Sequence, residues 1–204
     1  TIHSFLQLPF TPFIPATKLM QNENTIDRHH LLSRIKMDKE KISLLQQLEL
    51  LIIDEISMVR CDVLDAIDAV LRHFRSRQGE PFGGVQMLFI GDMFQLPPVV
   101  TDNEWEVLSP FYQSPYFFSS KAIEKQPPLH IEFDKIYRQN ELHFINLLNK
   151  VRNNEMDEDG FTLLNNRLNI SFQPSNDDGI IILTTHNYKA NAINAAALAE
   201  LGSP

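Results

Sequence analysis

The sequence predicts an α/β fold in which parallel strands are joined through a helix. LLIIDEISM at residues 50–58 and LFIGDMFQLPPV at residues 88–99 are apolar, β-favouring runs that end abruptly in polar and acidic residues. A buried parallel strand reads as such a run. Between them Val59, Val63, Ile67, Val70, Leu71 and Phe74 recur at three- and four-residue spacing, the apolar stripe of an amphipathic helix over residues 61–75. Strand, helix and strand over about forty residues make a βαβ unit, expected to be right-handed. Ligands of open α/β sheets bind at the carboxyl ends of the strands, so Asp54, Glu55, Asp92 and Gln95 are expected at one rim.

The other elements follow in order. Residues 1–4 read as the exit from a strand, and residues 5–14 (FLQLPFTPFI) as loop or short extended pieces, since proline disfavours helix. Residues 22–41 turn from polar to periodic and read as a helical connection to a strand at 48–53. GEPFGG at 79–84 breaks the central helix, and 85–90 is the next strand. Trp105, Phe111, Tyr112, Tyr116, Phe117 and Phe118 form a mixed stretch, read either as a packed flap or as a DNA-facing surface. Residues 130–133 read as a strand and 141–151 as a helix. An acidic turn at 153–160 leads to a short helical piece at 161–168. SFQPSNDDG at 171–179 is the linker candidate, followed by a buried strand, a polar turn and an alanine-rich helix.

Composition sets bounds. With 204 residues, 43% of them hydrophobic, the chain can bury a sizeable core. A net charge of −8 argues against a strong duplex binder, although RHFRSR at 72–77 is basic and EMDEDG at 155–160 acidic. The single Cys61 permits no disulfide framework and predicts a reducing intracellular compartment, cytoplasm or nucleoid in a bacterial source. No apolar run approaches the length of a membrane span. The seven histidines and Cys61 show no metal-ligand spacing, so no zinc is expected.

DEIS at 54–57 and GDMFQLPPV at 91–99 resemble motifs II and III of the Pif-type, RecD-like branch of superfamily-one DNA helicases. TIHSF at 1–5 is similar to motif Ia of that branch, and DKIYRQ at 134–139 to motif IV. The resemblance implies a truncated P-loop NTPase fold, a RecA-like parallel sheet flanked by helices. Residues 1–170 would be the C-terminal part of a first motor domain with a small wedge-like insertion at about 5–41. Residues 171–178 would be the linker, and 179–204 the start of a second RecA-like domain. It also implies ATP and Mg²⁺ as ligands of the intact protein, and single-stranded and forked duplex DNA as partners.

Residue roles follow from the same match. Asp54 is expected to hold Mg²⁺ through water, since hard cations take carboxylate and water oxygens. Glu55 would orient or deprotonate the attacking water. Ser57 is either part of this site or a helix N-cap. Gln95 would sense the γ-phosphate, with Asp92 organising its loop and Pro97 and Pro98 stiffening it as a link to DNA. Arg138 would neutralise charge on the transferred phosphoryl group. Thr1, His3 and Ser4 would grip the DNA backbone, with Thr184, Thr185, His186 and Asn187 as weaker candidates. Phe10, Pro12 and Phe13 are candidates for the wedge.

None of the seven glycines is followed by lysine, so the phosphate cradle GxxxxGK[ST] is absent from this chain. Together with the start at Thr1 inside a motif, this reads as an excised fragment. Such a fragment is expected neither to bind ATP tightly nor to unwind DNA, and to expose a sheet edge through which it self-associates. Two other readings stay open: a P-loop ATPase acting on RNA or protein, and a degenerate, non-catalytic binding module.

Overall fold

Helix α4 (Cys61–Phe74) organises the first part of the chain. Of its predicted stripe, Ile67, Val70 and Leu71 are fully buried, Val59 is buried, and Val63 and Phe74 are partly buried, while Leu64, outside the stripe, is fully buried as well. The structure, a computed structural model, describes residues 1–15, 25–172 and 179–201. The chain divides into two units, Thr1–Asp134 and Lys135–Pro204.

In the first unit, β1 (Leu50–Ile53) and β2 (Gln86–Phe89) precede and follow α4 and pair in parallel, from Leu50 against Gln86 to Ile53 against Phe89. This is the expected strand–helix–strand unit. The expectation of buried strands is corrected for one face. Ile53, partly buried Leu51, Met87 and Phe89 join the core, whereas Leu50, Ile52, Leu88 and Ile90 lie exposed on the alternate positions. Side chains alternate with period two, and the buried cluster lies against one face only.

Residues 1–4 are helical rather than a strand exit. Helix α1 (Ile2–Leu6) begins where the Thr1 hydroxyl accepts the Ser4 N–H at 3.2 Å, an N-cap that satisfies a free helical donor. The single helical connection expected at 22–41 is two helices, α2 (Arg28–Arg34) and α3 (Lys39–Gln47). Asp27 caps the first by accepting from His30 N–H at 2.8 Å, and Asp38 caps the second by accepting from Lys41 N–H at 2.7 Å. Within the expected insertion, residues 16–24 lie outside the described residues.

The basic run at 72–77 acts inside the fold. The Arg75 guanidinium donates to the carbonyls of Leu45, Gln46, Leu48 and Gly83, joining the chain ahead of β1 to the chain ahead of β2. Arg72 donates to Asp68, which in turn accepts the Phe82 N–H. After β2 come α5 (Asp102–Leu108), opened by a Thr101–Glu104 capping box, and α6 (Lys121–Glu124). The aromatic stretch is mainly a packed layer. Tyr112 is buried with Ile14, Cys61 and Leu108, with Trp105 and Phe111 packed against them. Phe117 meets Phe89 at 5.7 Å, while Phe118 is exposed and stacks on Tyr116 at 5.3 Å.

The strand expected at 130–133 does not form, and Ile131 and Phe133 are exposed. An apolar run becomes a strand only where a neighbour takes its backbone groups, and it has no ladder partner among the described residues.

The second unit holds α7 (Leu142–Arg152), α8 (Glu158–Asn165) and α9 (Asn187–Glu200). Helix α8 starts ahead of the expected 161 because Asp157 caps it, accepting the Gly160 N–H at 2.9 Å. Most of the expected linker, residues 173–178, lies outside the described residues. The buried strand expected after it is corrected: residues 180–183 join no ladder, and Leu183 is 91% exposed. The alanine-rich helix that follows is present as α9. Among the described residues no helix is long and apolar enough to cross a membrane.

Candidate functional site

The two acid-bearing strand ends are locked together. Ile90 N–H donates to the Ile53 carbonyl, and Ile56 N–H donates to the Ile90 carbonyl, both at 2.9 Å. Asp54 follows the first of these residues and Gly91 and Asp92 the second, so both polar segments leave the sheet from one bonded junction. Gly91 is required there. A Cβ on it would lie 2.9 Å from both the amide nitrogen and Cγ2 of Ile56, closer than atoms pack without displacement.

Asp54 and Glu55 are both exposed. The Asp54 carboxylate accepts the Glu55 N–H at 2.9 Å. Glu55 itself adopts φ 53° and ψ 45°, left-handed backbone that a residue with a Cβ rarely takes and that collects at functional sites. It precedes a 3-10 turn at Ile56–Met58. Ser57 lies inside that turn, so the N-cap alternative for it is corrected. It is 1% exposed, and its Oγ has no hydrogen-bond partner among the described residues.

Asp92 organises its loop as expected. Its Oδ1 accepts the Phe94 N–H at 3.0 Å, its Oδ2 accepts from the Gln95 amide at 3.3 Å, and its carbonyl accepts the Gln95 N–H at 3.1 Å. Gln95 is exposed, Pro97 is exposed and Pro98 is buried. Among the described residues no three metal-binding side chains converge, so the hard-oxygen ligand at the rim is the Asp54 carboxylate. One Asp54 oxygen takes a single backbone donor, and an exposed carboxylate of that kind fits a water-coordinated divalent cation.

The other candidates each belong to one of the two units. In the first unit the Thr1 hydroxyl is spent on capping α1, and His3 is half-buried and stacked on exposed Phe10 at 4.8 Å. Burial first, then the Arg60 cation, hold the His3 imidazole below its ordinary pKa. It therefore offers a neutral N–H rather than a charge near neutral pH. Ser4 is exposed, Phe13 is buried with the core, and Pro12 accepts the Ile26 N–H. In the second unit Arg138 is exposed and makes no ion pair among the described residues. The Thr184 hydroxyl donates to the His186 carbonyl at 3.0 Å, and the Thr185 hydroxyl meets His186 Nδ1 at 2.8 Å, so these side chains shape the start of α9.

Sequence reasoning missed a buried polar frame built on the start and inner face of α4. Arg60 donates to both Asp62 oxygens and to Glu104, and Asp62 also accepts the Phe13 N–H at 2.9 Å. Asp65 accepts from Tyr112, Ser120, Lys121 and Ala122. Acids on the inner face of α4 were the available signal, because a carboxylate among leucines needs partners.

Residues 19–160 match the family model of PIF1-like helicases. The chain belongs to the PIF1-like helicase family. It is 43% identical over 103 residues to the ATP-dependent DNA helicase PIF1 of Homo sapiens, covering 50% of this chain and 14% of that protein. With PIF1 of Saccharomyces cerevisiae the identity is 32% over 134 residues, 65% of this chain and 15% of the relative. The crystal structure of Pif1 helicase from Bacteroides in complex with ADP-AlF3 and ssDNA superposes with a TM-score of 0.82 at 40% identity. It covers 100% of this chain and 44% of that one. The chain thus spans less than half of each of these relatives. The fold is the α/β, RecA-like fold of Pif1 helicases, represented here by a small parallel sheet and its helices.

Proposed function

We propose that this chain is part of an ATP-dependent DNA helicase that couples ATP hydrolysis to 5′-to-3′ translocation on single-stranded DNA and to duplex unwinding. The observation that supports this best is the bonded junction Ile53–Ile90–Ile56, from which the Asp54–Glu55 turn and the Asp92–Gln95 loop both emerge. The junction holds the loop and the acids on one hydrogen-bonded frame, the arrangement that coupling of hydrolysis to movement requires.

Asp54 would hold Mg²⁺ through water, and the cation would supply charge neutralisation on the phosphate oxygens. Glu55 accepts a proton from, or orients, the attacking water, and its exposed position on a fixed backbone leaves the carboxylate free to do so. Gln95 senses the γ-phosphate once released from Asp92, and Arg138 neutralises transition-state charge. Thr1, His3, Ser4, Pro97, Thr184 and His186 remain the proposed DNA contacts, through hydroxyls, neutral imidazole and loop surface rather than strong positive charge, while buried Pro98 would serve by stiffening the loop. A reducing intracellular compartment accords with the buried thiol of Cys61.

The test is ATP turnover by the full reading frame, with and without single-stranded DNA, beside Glu55→Gln. Turnover strongly stimulated by DNA and reduced about 100-fold or more in the variant is expected. Turnover indifferent to DNA would sink the helicase assignment. The 204-residue chain by itself is expected to show no comparable turnover, since it carries no GxxxxGK[ST].

A further inference from the structure

Most cations of the first unit are engaged within the fold. Arg60, Arg72, Arg77 and Lys121 pair with carboxylates, and Arg75 with carbonyls. Arg28 donates to the Gln78 side chain, and Lys41 Nζ stands 3.8 Å above the Phe5 ring. Arg34, Lys36 and Lys39 differ. All three are exposed, and among the described residues their side chains make no hydrogen bond, ion pair or ring contact. Lys125 is the other described cation of this unit of which that is true.

The three lie within six residues, across the join of α2 and α3. Residues 28–41 hold five Lys or Arg against two Asp or Glu, in a chain of net charge −8. Local structure does not account for this. Arg34 suits the last turn of α2, but Lys39 is the first residue of α3, where the helix dipole disfavours a cation. Free cations gathered on an otherwise acidic chain mark a surface for an anionic partner.

The kind of anion follows from what the stretch lacks. No Phe, Tyr or Trp occurs between Phe13 and Phe74, so the stretch carries none of the aromatic rings on which the bases of a single strand stack. Cations without such platforms suit a row of phosphates, and a duplex carries one charge about every 1.7 Å of its axis, twice the density of either strand. The place fits as well. Lys41, at the end of the stretch, lies over Phe5 of α1, the helix that carries His3 and Ser4 and is capped by Thr1.

We propose that Arg34, Lys36 and Lys39 form a contact surface for the phosphate backbone of the double-stranded arm of a DNA fork. The three side chains displace counterions from the phosphates and read no base. The contact adds affinity for the duplex arm and takes no part in hydrolysis. It rests on the helicase reading above, which supplies the single strand that brings a fork to this face.

The experiment compares the full-length protein with two triple variants. One is Arg34→Gln, Lys36→Gln and Lys39→Gln; the other keeps the charges, as Arg34→Lys, Lys36→Arg and Lys39→Arg. Dissociation constants for a single-stranded oligonucleotide, and for a fork bearing the same strand, are measured over a range of salt. For the glutamine variant we expect fork affinity about tenfold lower at low salt, and a plot of log affinity against log salt shallower by about 2 to 3. Its single-strand affinity and its turnover stimulated by single-stranded DNA stay within about twofold, with Tm unchanged. The charge-keeping variant matches the original. Equal losses on both DNAs overturn the proposal, because the surface would then hold the single strand. So does a fork affinity within about twofold of the original, or a charge-keeping variant as weak as the glutamine one. A Tm several degrees lower also overturns it, since the charges would then serve the fold. If the unsubstituted protein shows no DNA-stimulated turnover, the helicase reading itself fails and this inference with it. A duplex arm that adds no affinity to an active protein removes the inference alone.

Discussion

Glu104 shows how one side chain can join two elements. Its carboxylate accepts from the Thr101 N–H at 2.9 Å and the Arg60 guanidinium at 2.7 Å, tying α5 to the start of α4. Burial opposes its charge, but the Thr101 backbone donor and the Arg60 cation outweigh burial and hold the carboxyl below its ordinary value of 4.5. A carboxyl with a depressed folded pKa contributes stability that is present above its unfolded pKa and lost as pH falls through the folded one. Glu104→Gln is therefore expected to melt below the original protein at pH 7, with the gap closing as pH drops below about 4.5. Melting curves at stepped pH check this, and a gap independent of pH would show that charge is not what the residue supplies. At the acid site, the sequence named Asp54, Glu55, Asp92 and Gln95, but Gly91 acquires its meaning only from the 2.9 Å approach to Ile56.

Helix α4 was legible as an element because its stripe repeats at helical spacing, and its observed end at Phe74 lies one residue from the expected one. What the spacing did not disclose is that its acids face inward. Asp65 draws Tyr112 Oη (2.7 Å), Ser120 Oγ (2.5 Å) and the Ala122 N–H (2.8 Å) onto the helix, fixing α6 and the aromatic layer. Tyr112→Phe removes one donor from a buried carboxylate and leaves the ring in place. It is expected to cost about 1–3 kcal/mol, read as a lower denaturation midpoint in urea with an unchanged slope. A change under a few tenths would mean that the three other donors suffice. The runs at 130–133 and 180–183 were misread for one reason. Each is apolar enough for a buried strand, but apolar composition supplies no partner for backbone N–H and C=O groups.

At the scale of the molecule, the exposed positions of the two strands are as apolar as the buried ones: Leu50, Ile52, Leu88 and Ile90 stand in solvent, with Ile52 at 53% exposure. A contiguous apolar face of this kind promotes association. The isolated 204-residue chain is expected to self-associate in sedimentation velocity runs, and the double variant Ile52→Lys with Leu88→Lys to sediment as a monomer. A clean monomer at tens of micromolar before substitution would exclude this face as an association surface.

The sequence by itself determined the strand–helix–strand unit, the acids at its carboxyl rim and the PIF1-like motifs that mark them, because periodicity and motif order are local properties of the chain. Only the tertiary structure decided which strand face is covered, that Gly91 admits no side chain, and that the Ser57 hydroxyl is buried with no partner among the described residues. Each of these depends on contacts between residues distant in sequence, and no local pattern encodes whether a buried group finds its complement.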